Sequence, residues 1–427
     1  MKLGKKRFML ATIICLIFVM VAACTKESSD DASDNQPAAD SSTTTDNDAA
    51  EGEEDADQAE EAAAGDTANA EEVQKEVPNP EVAEDGSWKF KTGKGVSSSP
   101  ILVGDTIYFG SKDGNFYALD KKTGQEVWTY NTGNPIISQA AALDNAIFFC
   151  SKEVYYAVDA QTGAEIWKYD LKPADNFYLR KDDWDYHDGS PVVYDNVVYF
   201  GSSTGRMLGF DVASGELVWD FTAPGNRGVR STPVIQDGII YYGDWGGEYK
   251  AVNLETQEIV WKRDFYVAFQ NSAVIKDGVI IIAGRNRTIS ALDLNTGETK
   301  WEYKDPKDSW ITGDPVIDGD TVYISTSDSK KVYALNFNDG TVIAEYPLYM
   351  NSFSKVIIDN GLLYVTSGDA YAKPGSGSLQ VYKLGDTSDC VWKEMVGTGG
   401  IFTSPLLSDG LIYYGSEDGY LYATLIK

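Results

Sequence analysis

The chain is poor in the residues that most often carry catalysis or metal chemistry. It has one histidine, His187, and four cysteines in 427 residues. No His or Cys cluster has metal-ligand spacing, which argues against a histidine-based metal site. Cys-x-x-Cys-His is absent, so no haem domain of that type is appended. No phosphate-cradling glycine loop, nucleophile elbow or metalloprotease helix motif occurs. Positive charge is also scarce, with 36 Lys and Arg against 65 Asp and Glu and a net charge of -29. Such a surface repels phosphate backbones, so nucleic acid is not expected as a partner.

Long apolar runs are confined to the start of the chain. Lys2, Lys5, Lys6 and Arg7 precede an apolar stretch from Phe8 to Ala23, which Cys24 ends. Sixteen apolar residues are short for a membrane span of about 20, and the pattern is that of a signal peptide over residues 1–23. Val21-Ala22-Ala23-Cys24 resembles a bacterial lipobox. That implies cleavage, lipid attachment at Cys24, and a product lipid-anchored to a bacterial membrane outside the cytoplasm. An uncleaved anchor is the alternative. Two or more acyl chains would hold the protein stably, at about 0.8 kcal/mol per buried methylene.

Aromatic residues are missing from the next segment. Residues 25–86 hold 21 Asp and Glu against two Lys, with Ala, Ser and Thr making up much of the rest. That composition cannot bury enough apolar area to offset its ordering entropy. Residues 24–86 are therefore read as a disordered, acidic tether spanning on the order of 40–50 Å.

From Ser87 the pattern changes to short strands and tight turns. Ala118-Leu-Asp-Lys-Lys-Thr-Gly-Gln-Glu-Val-Trp128 recurs closely at 157–167, 209–219, 251–261 and 291–301. A period near 40 residues with several strands per copy is the signature of a propeller. Two-residue turns count the units independently, at Gly104-Asp105, Asp144-Asn145, Asp195-Asn196, Asp237-Gly238, Asp277-Gly278, Asp318-Gly319, Asn360-Gly361 and Asp409-Gly410. Residues 87–427 are accordingly expected to form an all-β, eight-bladed propeller. Ser87-Trp-Lys-Phe-Lys-Thr-Gly93 matches Val127-Trp-Thr-Tyr-Asn-Thr-Gly133. The N-terminal strand should therefore complete the last blade and close the ring. Cys150 and Cys390 fall in the second and seventh repeats, too far apart around the ring for a disulfide.

The repeat Ala-x-Asp-x-x-Thr-Gly-x-x-x-Trp resembles the tryptophan-docking motif of the pyrroloquinoline-quinone (PQQ) dehydrogenase superfamily. That superfamily includes the propeller lipoproteins of the bacterial outer-membrane protein assembly machinery. The resemblance covers nearly all of residues 87–427 and implies that Trp88, Trp128, Trp167, Trp219, Trp261, Trp301 and Trp392 dock each blade onto the next. Ala344 takes the equivalent place in the sixth repeat. In the dehydrogenases the quinone sits with calcium, a catalytic aspartate and a ring disulfide between adjacent cysteines. Here no Cys-Cys pair exists, so no cofactor and no catalytic residue are assigned. PQQ with calcium belongs only to the alternative reading.

Function is sought where the period fails. Trp184, Trp245 and Trp310 are out of register, and six of seven body arginines fall in or beside the same two classes of connection. Those connections open on one face of a propeller. The candidate partner-binding residues are Arg227, Arg230, Arg285, Arg287, Trp184, Tyr186, His187, Trp245 and Trp310. Long aromatic and arginine-bearing loops on a rigid scaffold are where binding is usually built. The expected function is a monomeric, lipid-anchored protein-binding or assembly scaffold at the cell envelope. The alternatives are a PQQ-dependent dehydrogenase and a cell-wall or polysaccharide binder.

Overall fold

The structure, a computed structural model, describes residues 80–172, 189–222, 225, 227–285, 287–369, 377–388, 390–396 and 399–426. Cys24, the signal peptide and most of the tether lie outside these residues. So do Trp184, Tyr186 and His187.

Eight antiparallel sheets follow one another along the chain. The first blade runs through Ile101–Val103, Thr106–Gly110, Asn115–Asp120 and Glu126–Asn131, in that order from the axis outward. Six further four-stranded blades repeat this order. The eighth blade takes only Leu406–Ser408, Leu411–Ser416 and Tyr420–Leu425 from the C-terminal end. Its fourth strand is Trp88–Lys91, which pairs Trp88 with Ala423 and Lys91 with Tyr420. The ring is thus closed by the N-terminal strand, as the repeat arithmetic requires. A fifth strand, Glu81–Val82, pairs outside it. It falls in the stretch read as tether, because two residues carry too little apolar pattern to register as a strand.

The hydrophobic core is divided among the seams. Each of eight main clusters of buried side chains draws on two adjacent blades, as when Phe116 of the first blade stacks on Phe149 of the second at 4.1 Å. The seam fastener explains the repeated motif residue by residue. In Asp159-Ala-Gln-Thr-Gly163 the Asp159 carboxylate accepts the Thr162 amide and hydroxyl, both at 2.8 Å. Those Thr162 bonds hold Asp159 below the ordinary carboxylate range. Gly163 has φ +70, and a Cβ there would lie 2.6 Å from the Trp128 indole of the preceding blade. The Trp128 indole N–H then donates to the Ala160 carbonyl at 2.9 Å.

The same bond joins Trp88 to Lys121, Trp167 to Val212, Trp219 to Leu254, Trp261 to Leu294 and Trp301 to Phe337. Six of the seven docking tryptophans behave alike. Trp392 differs: it is half-buried, and no described carbonyl receives its indole N–H. The reason is topological. The eighth blade draws its outer strand from Trp88–Lys91, so it has no turn from third to fourth strand to present to Trp392. At Ala344 the partner turn survives, yet nothing lies within 4 Å of a Cβ at Gly385. Tyr346 accepts the Gly385 amide there instead, at 3.0 Å. Cys150 and Cys390 are not joined by a disulfide.

Candidate functional site

Two kinds of connection share the open face: those from a fourth strand to the next blade's first, and those between second and third strands. Arg230 lies in the connection between the third and fourth blades, and Trp245 in the second-to-third connection of the fourth. Arg285 occupies the matching place in the fifth blade, and Trp310 precedes the sixth. The fold stacks these four side chains alternately. The Arg230 guanidinium lies 4.7 Å from the Trp245 ring, and Arg285 lies 4.7 Å from the same ring. Arg285 also lies 4.9 Å from the ring of Trp310. All four are half-buried. Each contact is worth about 0.5–1 kcal/mol at such exposure, so the ladder is held as much by its loops as by itself.

Those loops are built around buried aspartates. Asp244, 2% exposed, accepts the amides of Gly246 and Glu248 at 2.8 and 3.1 Å. Its second oxygen accepts the Lys250 ammonium at 2.6 Å, and Lys250 is 1% exposed. Trp245 is carried on this knot, its own amide donating to the Gly228 carbonyl. Asp305 does the same for Trp310. It accepts the Lys307 amide at 2.7 Å, the Ser329 hydroxyl at 2.9 Å and the Tyr333 hydroxyl at 2.8 Å.

The remaining arginines divide. Arg227 lies across Gly246, where a Cβ would come within 2.5 Å of its stem, so it borders the ladder beside Trp245. Arg287 pairs with Asp308 at 3.2 Å, two residues from Trp310. Arg206 pairs with Asp220 inside its own blade, and Arg263 donates to Gly297 at a seam. Neither belongs to the ladder.

Sequence reasoning brought together Arg230, Trp245, Arg285 and Trp310 but missed their supports. Gln270 accepts from the Arg285 side chain at 3.1 Å, and Lys250 anchors Asp244. A signal existed for Lys250: its register position holds Tyr117, Tyr156, Leu208, Ser290, Tyr333, Gln380 and Tyr422 in the other blades, and only here a charge.

A channel of about 680 Å³ runs along the axis. One residue per blade, two before each innermost strand, encircles it. Main-chain amides of this ring donate to the next blade's side chain, from Gln139 to Ser190, Ser190 to Thr232, Ser272 to Asp314, Lys355 to Ser404 and Ser404 to Ser99. These residues do not fit a calcium-bound quinone. Calcium takes six to eight oxygens, with several carboxylates among them. The channel offers Asp314 on the ring and Asp359 at the other end of an innermost strand. No group of three metal-ligating side chains occurs among the described residues.

Comparison with known proteins places this geometry. The family model described as outer membrane protein assembly factor BamB matches residues 82–225 and 209–425. The BamB of Salmonella typhimurium is 23% identical over 350 residues, covering 82% of this chain and 76% of that protein. The crystal structure of BamB from Moraxella catarrhalis superposes with a TM-score of 0.54 at 16% identity, over 82% of this chain and 92% of that one. A europium-containing methanol dehydrogenase gives 0.62 at 15% identity, over 79% and 85%. At those identities the two structures speak for the shared propeller alone. With a family model spanning nearly the whole ring, the chain belongs to the outer membrane protein assembly factor BamB family.

Proposed function

We propose that this chain is a non-catalytic scaffold of the bacterial cell envelope, held to a membrane by a lipid on Cys24, which binds a protein partner through its open face. The observation that carries the reading is the Arg230–Trp245–Arg285–Trp310 ladder. It spans loops of consecutive blades, fixed from below by buried Asp244 and Asp305. Tryptophan and arginine in a preorganised patch are the residue types that dominate interface energies, and rigid placement lowers the entropic cost of binding. Four arginines on one face of an acidic body favour an acidic partner segment. The relatives named as outer-membrane protein assembly factors support a role in assembly rather than catalysis.

Pulldown from envelope extract tests it. Trp245→Ala combined with Arg285→Ala should abolish capture of the partner taken by the wild-type chain while leaving the thermal transition in place. Capture that survives in the double variant overturns the assignment of this face. The dehydrogenase reading is tested by adding PQQ and calcium and looking for tight binding with dye-linked alcohol oxidation, which the scaffold reading expects to be absent.

A further inference from the structure

The axial ring contains a second departure from the repeat, far from the ladder loops in its chemistry. Five ring positions do a structural job: the side chains of Ser99, Ser190, Thr232, Asp314 and Ser404 each supply an oxygen to the main-chain amide of the preceding ring residue. Lysine cannot do this. At Lys355 the ring position preceding the seventh blade's innermost strand therefore has no acceptor to offer the amide of Asp314. Lys355 lines the channel, is exposed to it, and has no carboxylate within 4 Å among the described residues. It is the only ammonium on the ring.

Its neighbours are rich in donors. Ser99, Ser190, Thr232 and Ser404 each accept one main-chain amide, and their hydroxyl hydrogens are taken by no described protein acceptor. Each is half-buried against the channel. At the mouth, Phe353 and Phe402 meet edge to face at 5.4 Å and add a small apolar wall. A channel of this size lies within the range of about 300–1,000 Å³ typical of small-ligand sites. Four free hydroxyl donors and one ammonium reward an acceptor-rich ligand and give nothing to an apolar one.

We propose that the axial channel binds a saccharide bearing a carboxylate, with Lys355 taking the carboxylate and the ring hydroxyls taking sugar oxygens. This site opens on the same face as the ladder, with Thr232 two residues from Arg230 and Gln270 lining the channel while accepting from Arg285. Asp314, also on the ring, and Asp359, at the far end of the neighbouring strand, are the carboxylates facing the same channel and set the limit on how many anionic units enter.

Titration calorimetry on the full-length chain tests it, with α-1,4-digalacturonic acid as the probe, lactose as a neutral disaccharide and acetate as the charge alone. Saturable binding of the diacid, at least tenfold tighter than either control, is expected. Lys355→Ser should remove that preference while holding or raising the melting temperature, because serine gives the ring its missing oxygen. Asp314→Asn should tighten the diacid several-fold by removing a like charge while keeping the acceptor for Ser272. Heat from none of the three probes, acetate binding as well as the diacid, or undiminished diacid binding in Lys355→Ser would each overturn the proposal. The first outcome would leave the channel holding water only.

Discussion

On one face of the ring, where Asp120, Asp159, Asp211 and Asp293 fold their turns, successive blades are near copies. Each carboxylate accepts the amide and hydroxyl of a Thr or Ser three residues on, and most of these turns receive an indole from the blade before. On the opposite face some connections still match, as Ser111–Gly114 and Ser416–Gly419 do, but others diverge. Arg230, Trp245, Arg285 and Trp310 come from four different loops and meet only because the blades carry them there. The turn face is constrained by the seams it fastens, so variation there costs stability. The loop face is freed from that constraint because the seams are already closed beneath it. Repetition and the proposed binding surface are thus on opposite sides of the ring.

Breaking the turn face at its closing point should have the largest effect. Removing residues 80–91 leaves Tyr420–Leu425 as an open edge and uncovers the seam around Phe90 and Tyr117. The cooperative thermal transition should be lost, as followed by circular dichroism. Trp301→Ala should cost about 3–5 kcal/mol in denaturant unfolding, the usual range for a buried tryptophan. Trp392→Ala, with its indole half-buried and lacking that hydrogen bond, should cost less than half as much. Equal losses would mean that the eighth seam is fastened in a way the other six are not.

On the loop face, Lys250→Met strips the partner from buried Asp244 and should cost about 3–5 kcal/mol. It should also change the fluorescence of Trp245, which a merely local cavity would not. A smaller effect, and of opposite sign, is expected at Gln257. It has φ +56 where most other blades place glycine, so Gln257→Gly should stabilise by about 0.5–1 kcal/mol, the left-handed strain relieved less the entropy glycine loses.

The pH limits of stability separate the turns from the seams. Hydrogen bonds from Ser214 and Thr162 depress Asp211 and Asp159 below the usual value of 3.8. Their contribution is complete above that value and is lost as pH falls through the lower folded values. Burial pushes the seam phenols Tyr199, Tyr241 and Tyr413 up to about 12. Their contribution is complete below pH 10 and is lost as pH rises toward 12. Melting temperature should therefore be flat across neutral pH and fall at both ends, with Asp159→Asn softening only the acid side.

The blade count, the closing strand and six fasteners were legible because Asp-x-x-Thr-Gly and Trp do local work that recurs. Trp392 was misleading for the same reason. Its sequence context is regular, and the missing turn lies in a blade shared by both ends of the chain. The grouping of Trp245 with Arg285 followed from connection class alone. The knots under that ladder did not, because Asp244 and Lys250 form an ion pair whose burial depends on the finished blade. Lys355 could have been found by aligning the residues two before each innermost strand, a register too short to stand out from the turns around it.

The pairing of Trp88 with Ala423 also sets an order of events. Thr92 donates to Gly419 across 327 positions, so the contact that completes the ring is a very long-range one. Contacts of that separation form slowly. A chain that emerges from its N-terminus must hold Trp88–Lys91 unpaired until Tyr420–Leu425 has been made. During that interval Trp88–Lys91 presents a strand edge capable of pairing with a neighbouring molecule. Slow closure therefore lengthens the period in which that edge is open to the wrong partner.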